Sequence, residues 1–276
     1  MLEDLVAAIR KRQAILFAGA GVSMTVGLPS WSTLIEHITD ELAIDPSDFK
    51  EDDLNYLTLA EYYRIKQGSI GPLRSWMDRN WTIPDDKLKA SKVHELICKL
   101  DFPIIYTTNF DRNLEAAFDL QGKDYVKIVS AKDIARVREG MTQIVKFHGD
   151  FDDDGSIVIT ETDYLDRLSF ESPLDIKFRS DSLGKTILFI GYSMSDLNIR
   201  FLMHRLWKTW AGSGYERDRP ASYVFMLRPN PVEQTVLEQW GLRVLTEKDC
   251  PPEQALEVFL SKLFKGIQET ENGSAC

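Results

Sequence analysis

Four short apolar runs, each ending abruptly at small or polar residues, constrain the fold of this chain more than any other feature. They occupy residues 14–17, 103–106, 144–147 and 186–190. Buried strands of a parallel sheet are near-continuous apolar runs, and such sheets bind ligands in a crevice at the carboxyl ends of their strands. We therefore expect the residues that follow these four runs to surround one pocket.

Segments with helical spacing of apolar residues, such as 2–13 and 252–267, alternate with these runs. This alternation predicts an α/β fold, a Rossmann-like doubly wound parallel sheet, in a single domain of residues 1–276. The stretch between the first two strands is nearly all helical and about twice as long as an ordinary crossover. We interpret its excess, about residues 45–100, as a helical insertion covering the pocket. Residues 270–276 are polar and are expected to be disordered.

The charge and hydropathy of the chain limit the classes of function. The formal net charge is -10 and there is no dense run of Lys or Arg, so we expect no direct binding of nucleic acid or of anionic lipid. No apolar stretch approaches the roughly 18 residues of a membrane span, and the first residues lack the apolar core of a signal peptide. These features predict a cytoplasmic protein.

Cysteine spacing argues against a metal site. The chain has three cysteines, Cys98, Cys250 and Cys276, and no two of them form a CxxC pair. Neither a disulfide framework nor a four-cysteine zinc site is available within one chain, and we expect no bound metal.

The first run ends in a glycine turn, Gly19-Ala20-Gly21, followed closely by Ser23. Glycine lets the backbone turn sharply and approach a pyrophosphate. The usual dinucleotide fingerprint is incomplete, because Met24 stands where its third glycine would fall and no acidic strand end follows. An ordinary dehydrogenase is thus disfavoured. Taken alone, the turn is equally consistent with a tight connection that binds nothing.

The second and third runs end in polar residues that favour a functional site. Thr107, Thr108, Asn109 and Asp111 follow the second run, and His148 follows the third. Helix capping would explain one of the first four residues and leave the others unexplained. The histidine could be a core residue bonded to the backbone, but at a strand end before a glycine it is well placed for acid–base catalysis.

The fourth run leads into a turn that contains Gly191, Ser193 and Asp196. The turn is similar to the nucleophile elbow of hydrolases, with Ser195 in place of the last glycine. A serine hydrolase is disfavoured because only His204, on the helix directly after, could supply the histidine. We interpret the segment as a second small-residue turn under a nucleotide, with Asp196 as hydrogen-bond acceptor or helix cap.

As an ordered set, these motifs resemble those of the sirtuins, and the last turn resembles the bacterial sirtuin-like branch of antiphage defence systems. The resemblance spans about residues 16–196 and implies a Rossmann-like sheet that binds NAD. It implies that the Gly-Ala-Gly turn and Ser23 hold the phosphates. It also implies that Asn109 lies at the ribose next to nicotinamide, that Asp111 contacts the carboxamide, and that His148 is the catalytic base.

Departures from the sirtuin pattern narrow the expected activity. The four-cysteine zinc module is absent, Ser30 and Trp31 stand where an Arg typically follows Gly-x-Pro, and residues 150–155 replace the acyl-lysine groove motif. The resemblance therefore implies an NAD glycohydrolase that converts NAD and water to nicotinamide and ADP-ribose. Two alternatives stay open. One is an NAD-dependent deacylase or ADP-ribosyltransferase, and the other is a non-catalytic NAD- or ADP-ribose-binding scaffold or sensor.

Uncontrolled NAD hydrolysis would kill the host cell, so we expect a partner to control the enzyme. The predicted catalytic fold accounts for nearly all of these 276 residues, so we expect no sensor domain among them. The predicted contact surfaces are residues 54–100 and the helix at 252–267, and we expect a homo-oligomer. The family resemblance suggests a HerA-like ATPase or an Argonaute-like protein as the partner.

Overall fold

The computed structural model describes residues 2–45, 55–192 and 197–273. Its strands form one seven-stranded sheet in the order β3-β4-β2-β1-β5-β6-β7, and every neighbouring pair is parallel. The strands are β1 (Ala14–Ala18), β2 (Ile104–Thr107), β3 (Tyr125–Ile128), β4 (Thr142–Lys146), β5 (Thr186–Ile190), β6 (Ser222–Phe225) and β7 (Leu242–Leu245). The predicted α/β Rossmann-like fold is confirmed.

Helices flank both faces of the sheet. They are α1 (Leu2–Arg10), α2 (Ala20–Met24), α3 (Trp31–Glu41), α4 (Tyr56–Gln67), α5 (Gly71–Asn80), α6 (Asp85–Ala90), α7 (Lys92–Lys99), α8 (Asn113–Leu120), α9 (Ala131–Ile134), α10 (Glu161–Arg167), α11 (Pro173–Leu183), α12 (Leu197–Trp210), α13 (Pro231–Gln239) and α14 (Pro252–Gly273). Within the described residues, no helix is both long enough and apolar enough to span a membrane.

The central strand shows why apolar and polar residues do not alternate along these runs. Every residue of β1 is buried, because helices cover both faces of the sheet. Leu16 packs into the core that α1, α7 and α14 share with one face, whereas Phe17 packs into the core on the other face. Phe17 contacts four other aromatic rings there besides Tyr192, namely Tyr106, Phe147, Phe178 and Phe189.

A third core lies in the helical layer formed by α3, α4 and α5. Leu34, Tyr63 and Met77 are fully buried in it. Phe110 and Phe151, which follow β2 and β4, join the same cluster, so this layer packs beside the strand ends. Of its three helices, α4 and α5 fall within the predicted insertion of about residues 45–100, and that insertion's role as a cover of the pocket stays a prediction.

The two later helices of the predicted insertion pack elsewhere. Val93 and Ile97 of α7 lie in the core behind the sheet, where α7 contacts α8 and α14. The stripe of apolar residues at helical spacing explains this, because it needs a sheet-side core to bury it. The domain boundaries themselves stay a prediction. At the other end of the chain, α14 continues to Gly273, so the tail predicted from Thr270 is helical that far.

Candidate active site

The carboxyl ends of β4, β2, β1 and β5 lie side by side and open onto a crevice of about 530 Å³. Ala20, Gly21, Thr108, His148 and Gly191 are among the residues that line it. A smaller recess of about 110 Å³ adjoins the crevice, because Ala20 and Thr108 line both cavities. The predicted pocket therefore brings together residues from four separate segments of the chain.

The turn after β1 and the turn after β5 contact each other so closely that both need glycine. Gly19 N donates to Ile190 O at 2.9 Å, and Gly21 N donates to Gly191 O at 3.0 Å. A Cβ on Gly19 would lie 2.5 Å from Gly191 O, and one on Gly21 would lie 2.8 Å from Gly191 Cα. No side chain fits between the turns. This contact accounts for the glycines by packing, and it also leaves bare backbone at the floor of the crevice.

Asn109 connects the β2 turn to the glycine turn. Its Nδ2 donates to Gly19 O at 3.2 Å and to Ser23 Oγ at 3.3 Å, and its backbone N donates to Thr107 Oγ1 at 3.0 Å. Ser23 and Thr107 are both buried, so their observed role is to hold Asn109 rather than to line the crevice. Their predicted contact with a ligand stays a prediction, as does that of the buried Gly19.

Asp111 lies at the wall of the smaller recess, which Asn109 also lines. Its side chain is buried, and Oδ1 accepts a hydrogen bond from Asn113 N at 3.0 Å. Burial raises the pKa of this carboxyl group, and the positive charge of Lys146 opposes the shift. The contact between Asp111 and a carboxamide stays a prediction.

His148 is buried at the crevice wall with 2% of its surface exposed. Its Nδ1 lies 3.4 Å from the hydroxyl oxygen of Tyr164, and within the described residues its Nε2 has no hydrogen-bond partner. Burial, together with the positive charge of Arg167, lowers the pKa of His148 to about 3. The imidazole is therefore neutral at physiological pH, which is the form that can accept a proton.

The fourth predicted turn is described only in part. Gly191 has φ of +67°, a conformation that favours glycine, and it lines the crevice. Ser193 and Asp196, both predicted to bind the nucleotide, lie outside the described residues.

The comparison with known families agrees with this geometry. A family model described as a SIR2-like domain matches residues 103–245, which include Asn109, Asp111 and His148. The chain belongs to the SIR2-like family. The resemblance inferred from the sequence motifs is thereby confirmed.

Relatives with names support the same assignment. The chain is 31% identical, over 84% of its length, to a protein of Bacillus cereus (strain MSX-D12) named NAD(+) hydrolase ThsA, and covers 48% of it. An Enterococcus faecium protein of the same name is 34% identical over 71% of the chain, with 40% of that protein covered. The defense-associated sirtuin 2 of Bacillus subtilis is 24% identical over 88% of the chain, with 24% of it covered. The chain thus spans about half the length, or less, of these curated relatives.

Aromatic residues form much of the SIR2-like crevice. Tyr192 stands within the fourth predicted turn, but the sequence motifs did not place Trp31 and Tyr56 in the crevice. Trp31 stacks on Tyr56 with ring centroids 4.9 Å apart, and both line the crevice. Tyr192 packs its ring against Phe17, and its hydroxyl group bonds to Thr108 Oγ1. The available signal was the concentration of aromatic residues near the predicted insertion, which is also what a subunit interface would show.

Acid should weaken the folded state through His148. Its pKa is near 6.5 in the unfolded chain and about 3 in the folded chain. Between these values the unfolded state binds more protons, so this contribution is complete above pH 6.5 and is lost towards pH 3, at about 1.4 kcal/mol per pH unit. Urea unfolding at about pH 7 and about pH 5 should show a larger loss for the wild type than for His148→Gln. Equal losses of unfolding free energy in the two proteins would contradict the low pKa of His148.

The SIR2-like chain is expected to need no metal. Within the described ranges, no group of three or more His, Cys, Asp or Glu side chains could hold an ion. Elemental analysis of the purified protein should find no stoichiometric zinc, and a chelator should leave nicotinamide release and the melting temperature unchanged. One tightly held zinc per chain would overturn this prediction.

Proposed function

We propose that this chain is an NAD glycohydrolase that acts as the NAD-depleting effector of an antiphage defence complex. The observation that carries the proposal is the convergence of Asn109 and His148 on adjoining cavities at the ends of neighbouring strands. The names of the relatives, NAD(+) hydrolase ThsA and defense-associated sirtuin 2, give it independent support.

The reaction breaks the bond between the anomeric carbon of the ribose and the nicotinamide nitrogen. The bonding electron pair goes to the pyridinium ring, so nicotinamide leaves as a neutral molecule and needs no acid to protonate it. Water supplies the new oxygen on the anomeric carbon and loses one proton. An oxocarbenium-like transition state is expected, as in other glycoside hydrolysis. The protein must therefore orient the ribose, position the water and accept that proton.

Asn109 and His148 have the chemistry for those tasks. Both hydrogens of the Asn109 amide are directed to Gly19 O and Ser23 Oγ, which leaves the amide oxygen to accept from a ribose hydroxyl or from the water. The neutral imidazole of His148 accepts the proton. The glycine turns that follow β1 and β5 provide backbone close to the pyrophosphate. The adenosine extends towards the end of β6, where Arg228 and Glu233 line the crevice.

Incubation of the full chain with NAD, followed by chromatography for nicotinamide and ADP-ribose, tests the proposal. Equal amounts of the two products are expected. Nicotinamide release that depends on an acylated lysine peptide would favour a deacylase, and release accompanied by modified protein would favour an ADP-ribosyltransferase. Tight ADP-ribose binding without any nicotinamide release, even with the partner, would favour a scaffold or sensor.

We also propose that the enzyme works in the cytoplasm, where NAD is available to an effector, and as a homo-oligomer under the control of a partner. A HerA-like ATPase or an Argonaute-like protein is the proposed partner, since the acidic chain, with net charge -10, is poorly suited to bind nucleic acid or membranes directly. Tyr62 and Ile65 on α4, 41% and 69% exposed, suit a protein contact.

Light scattering should detect an oligomer of the isolated chain, because apolar side chains on α4 are exposed. Substituting Ile65→Glu should shift the chain towards the monomer, whereas Lys66→Glu on the same helix should not. NAD assays with and without the partner then measure the control of activity. A monomeric wild-type chain that hydrolyses NAD at full rate without a partner would refute the proposed oligomer and its control by a partner.

A further inference from the structure

A lysine is completely buried directly beneath the proposed catalytic turns. Lys146 is the last residue of β4, and 0% of its surface is exposed. An ammonium group loses its hydration when it is buried, so such a position persists only where protein groups replace the water. The proposed reaction itself gives this lysine no role.

The contacts of Lys146 join two different turns. Its Nζ donates to the main-chain oxygen of Asp111, two residues after Asn109. The same Nζ lies 3.5 Å from Asp150 Oδ2, two residues after His148. One ammonium group therefore contacts both turns that carry the proposed functional side chains.

The strand ladder alone does not extend to these side chains. Lys146 pairs with Thr107 in the β2–β4 register, and Phe147 N donates to Thr107 O at 2.7 Å. Both contacts lie before Asn109 and His148 in their strands' directions. The lysine side chain reaches past this point, which makes it suited to set the spacing of the two turns.

The surrounding charges explain why a cation occupies this position. Glu115 Oε1 lies 3.2 Å from Lys146 Nζ, and the carboxyl groups of Asp111, Glu115 and Asp150 are all buried. Burial raises the pKa of Asp111 and that of Glu115, while the charge of Lys146 opposes both shifts. An apolar side chain of the same length would leave the buried carboxyl groups of Asp111 and Glu115 without this cation, and Asp150 would keep only Lys127, whose Nζ lies 3.3 Å from its Oδ1.

We propose that Lys146 is a positioning residue that fixes the Asn109 turn against the His148 turn. The inference rests on the proposed function of those two residues. A purely structural lysine would lower stability when replaced but would leave kcat per folded molecule unchanged. A positioning lysine also changes kcat, because a displacement of about 1 Å in catalytic groups costs about 10²-fold in rate.

The test compares Lys146→Met with Lys177→Met in the full chain. Lys177 is the control, since its side chain is 13% exposed and it pairs at 2.8 Å with Asp181 on its own helix, α11, rather than with either turn. For Lys146→Met we expect ADP-ribose binding within about 3-fold of wild type by calorimetry and kcat for nicotinamide release about 10²-fold lower. For the control, both quantities should stay within about 3-fold. Wild-type kcat in folded Lys146→Met would overturn the proposal.

A second variant covers the case in which Lys146→Met does not fold. Asp150→Asn keeps the contacts of Lys146 with Asp111 and Glu115 but removes the charge that Lys146 contacts in the His148 turn. The same substitution also removes the charge that pairs with Lys127 at 3.3 Å. We expect kcat about 10-fold lower with KM unchanged. An unchanged kcat in this variant would overturn the positioning role.

A structural readout separates this proposal from the proposed function. If the wild type releases no nicotinamide, NAD hydrolysis is refuted. The effect of Lys146 on the spacing of the two turns can still be measured in crystals. The structure of the variant should show the Asn109 and His148 turns displaced from their wild-type spacing by on the order of 1 Å. An unchanged spacing of the two turns would refute the positioning role of Lys146 independently of any activity.

Discussion

His148→Ala is expected to release nicotinamide from NAD about 10²–10⁴-fold more slowly than the wild type. His148 lines the crevice as a neutral imidazole, because burial and the charge of Arg167 hold its pKa at about 3. Among the four histidines of the chain it is the one at a strand end of the crevice, so no other imidazole replaces it. The rate is measured by chromatography at saturating NAD.

A matched control separates loss of the base from loss of the fold. His204 contacts Trp207 and Trp240, and Trp240 precedes β7 at the amino ends of the strands, away from the crevice. His204→Ala should keep kcat within about 3-fold of wild type. Asn109→Ala should be as slow as His148→Ala, because it loses the amide held by Gly19 and Ser23. Wild-type turnover in His148→Ala would remove this histidine from the mechanism.

Gly149→Ala is expected to destabilise the protein strongly, although it adds only one methyl group. Gly149 has φ of +96°, and an added Cβ would lie 2.2 Å from Ser156 O and 2.7 Å from Ile157 N. These are backbone atoms, and the bond from Val158 N to His148 O at 2.8 Å holds their segment in place. The free energy of unfolding should fall by more than about 3 kcal/mol, and displacement of His148 should lower kcat about 10²-fold.

Gly122→Ala is the control for backbone conformation alone. Gly122 has φ of +63°, and no atom lies within 4 Å of an added Cβ. The free energy of unfolding of this variant should fall by only about 1–2 kcal/mol, which is the cost of a left-handed conformation for an alanine. Urea unfolding of both variants measures the difference. Equal losses at the two glycines would show that the contact with Ser156 does not matter.

The apolar runs by themselves determined the sheet and the place of the crevice. Strands that are covered on both faces are apolar along most of their length, so β1 and β5 could be located without knowing their neighbours. Parallel strands deliver their carboxyl ends to one edge, and Asn109 and His148 therefore had to lie at that edge. Both line cavities there, while their roles in the reaction stay predictions.

Only the tertiary structure decided which helices cover the crevice and how the catalytic turns are held. The sequence shows that α7 has an apolar face but does not show that α8 and α14 bury it behind the sheet. Likewise, Lys146 looks like an interruption of an apolar run until Asp111 and Asp150 are seen around its ammonium group. Local patterns report which faces are buried, since periodicity depends on neighbours in the chain. The partners on those faces come from distant segments, and packing alone selects them.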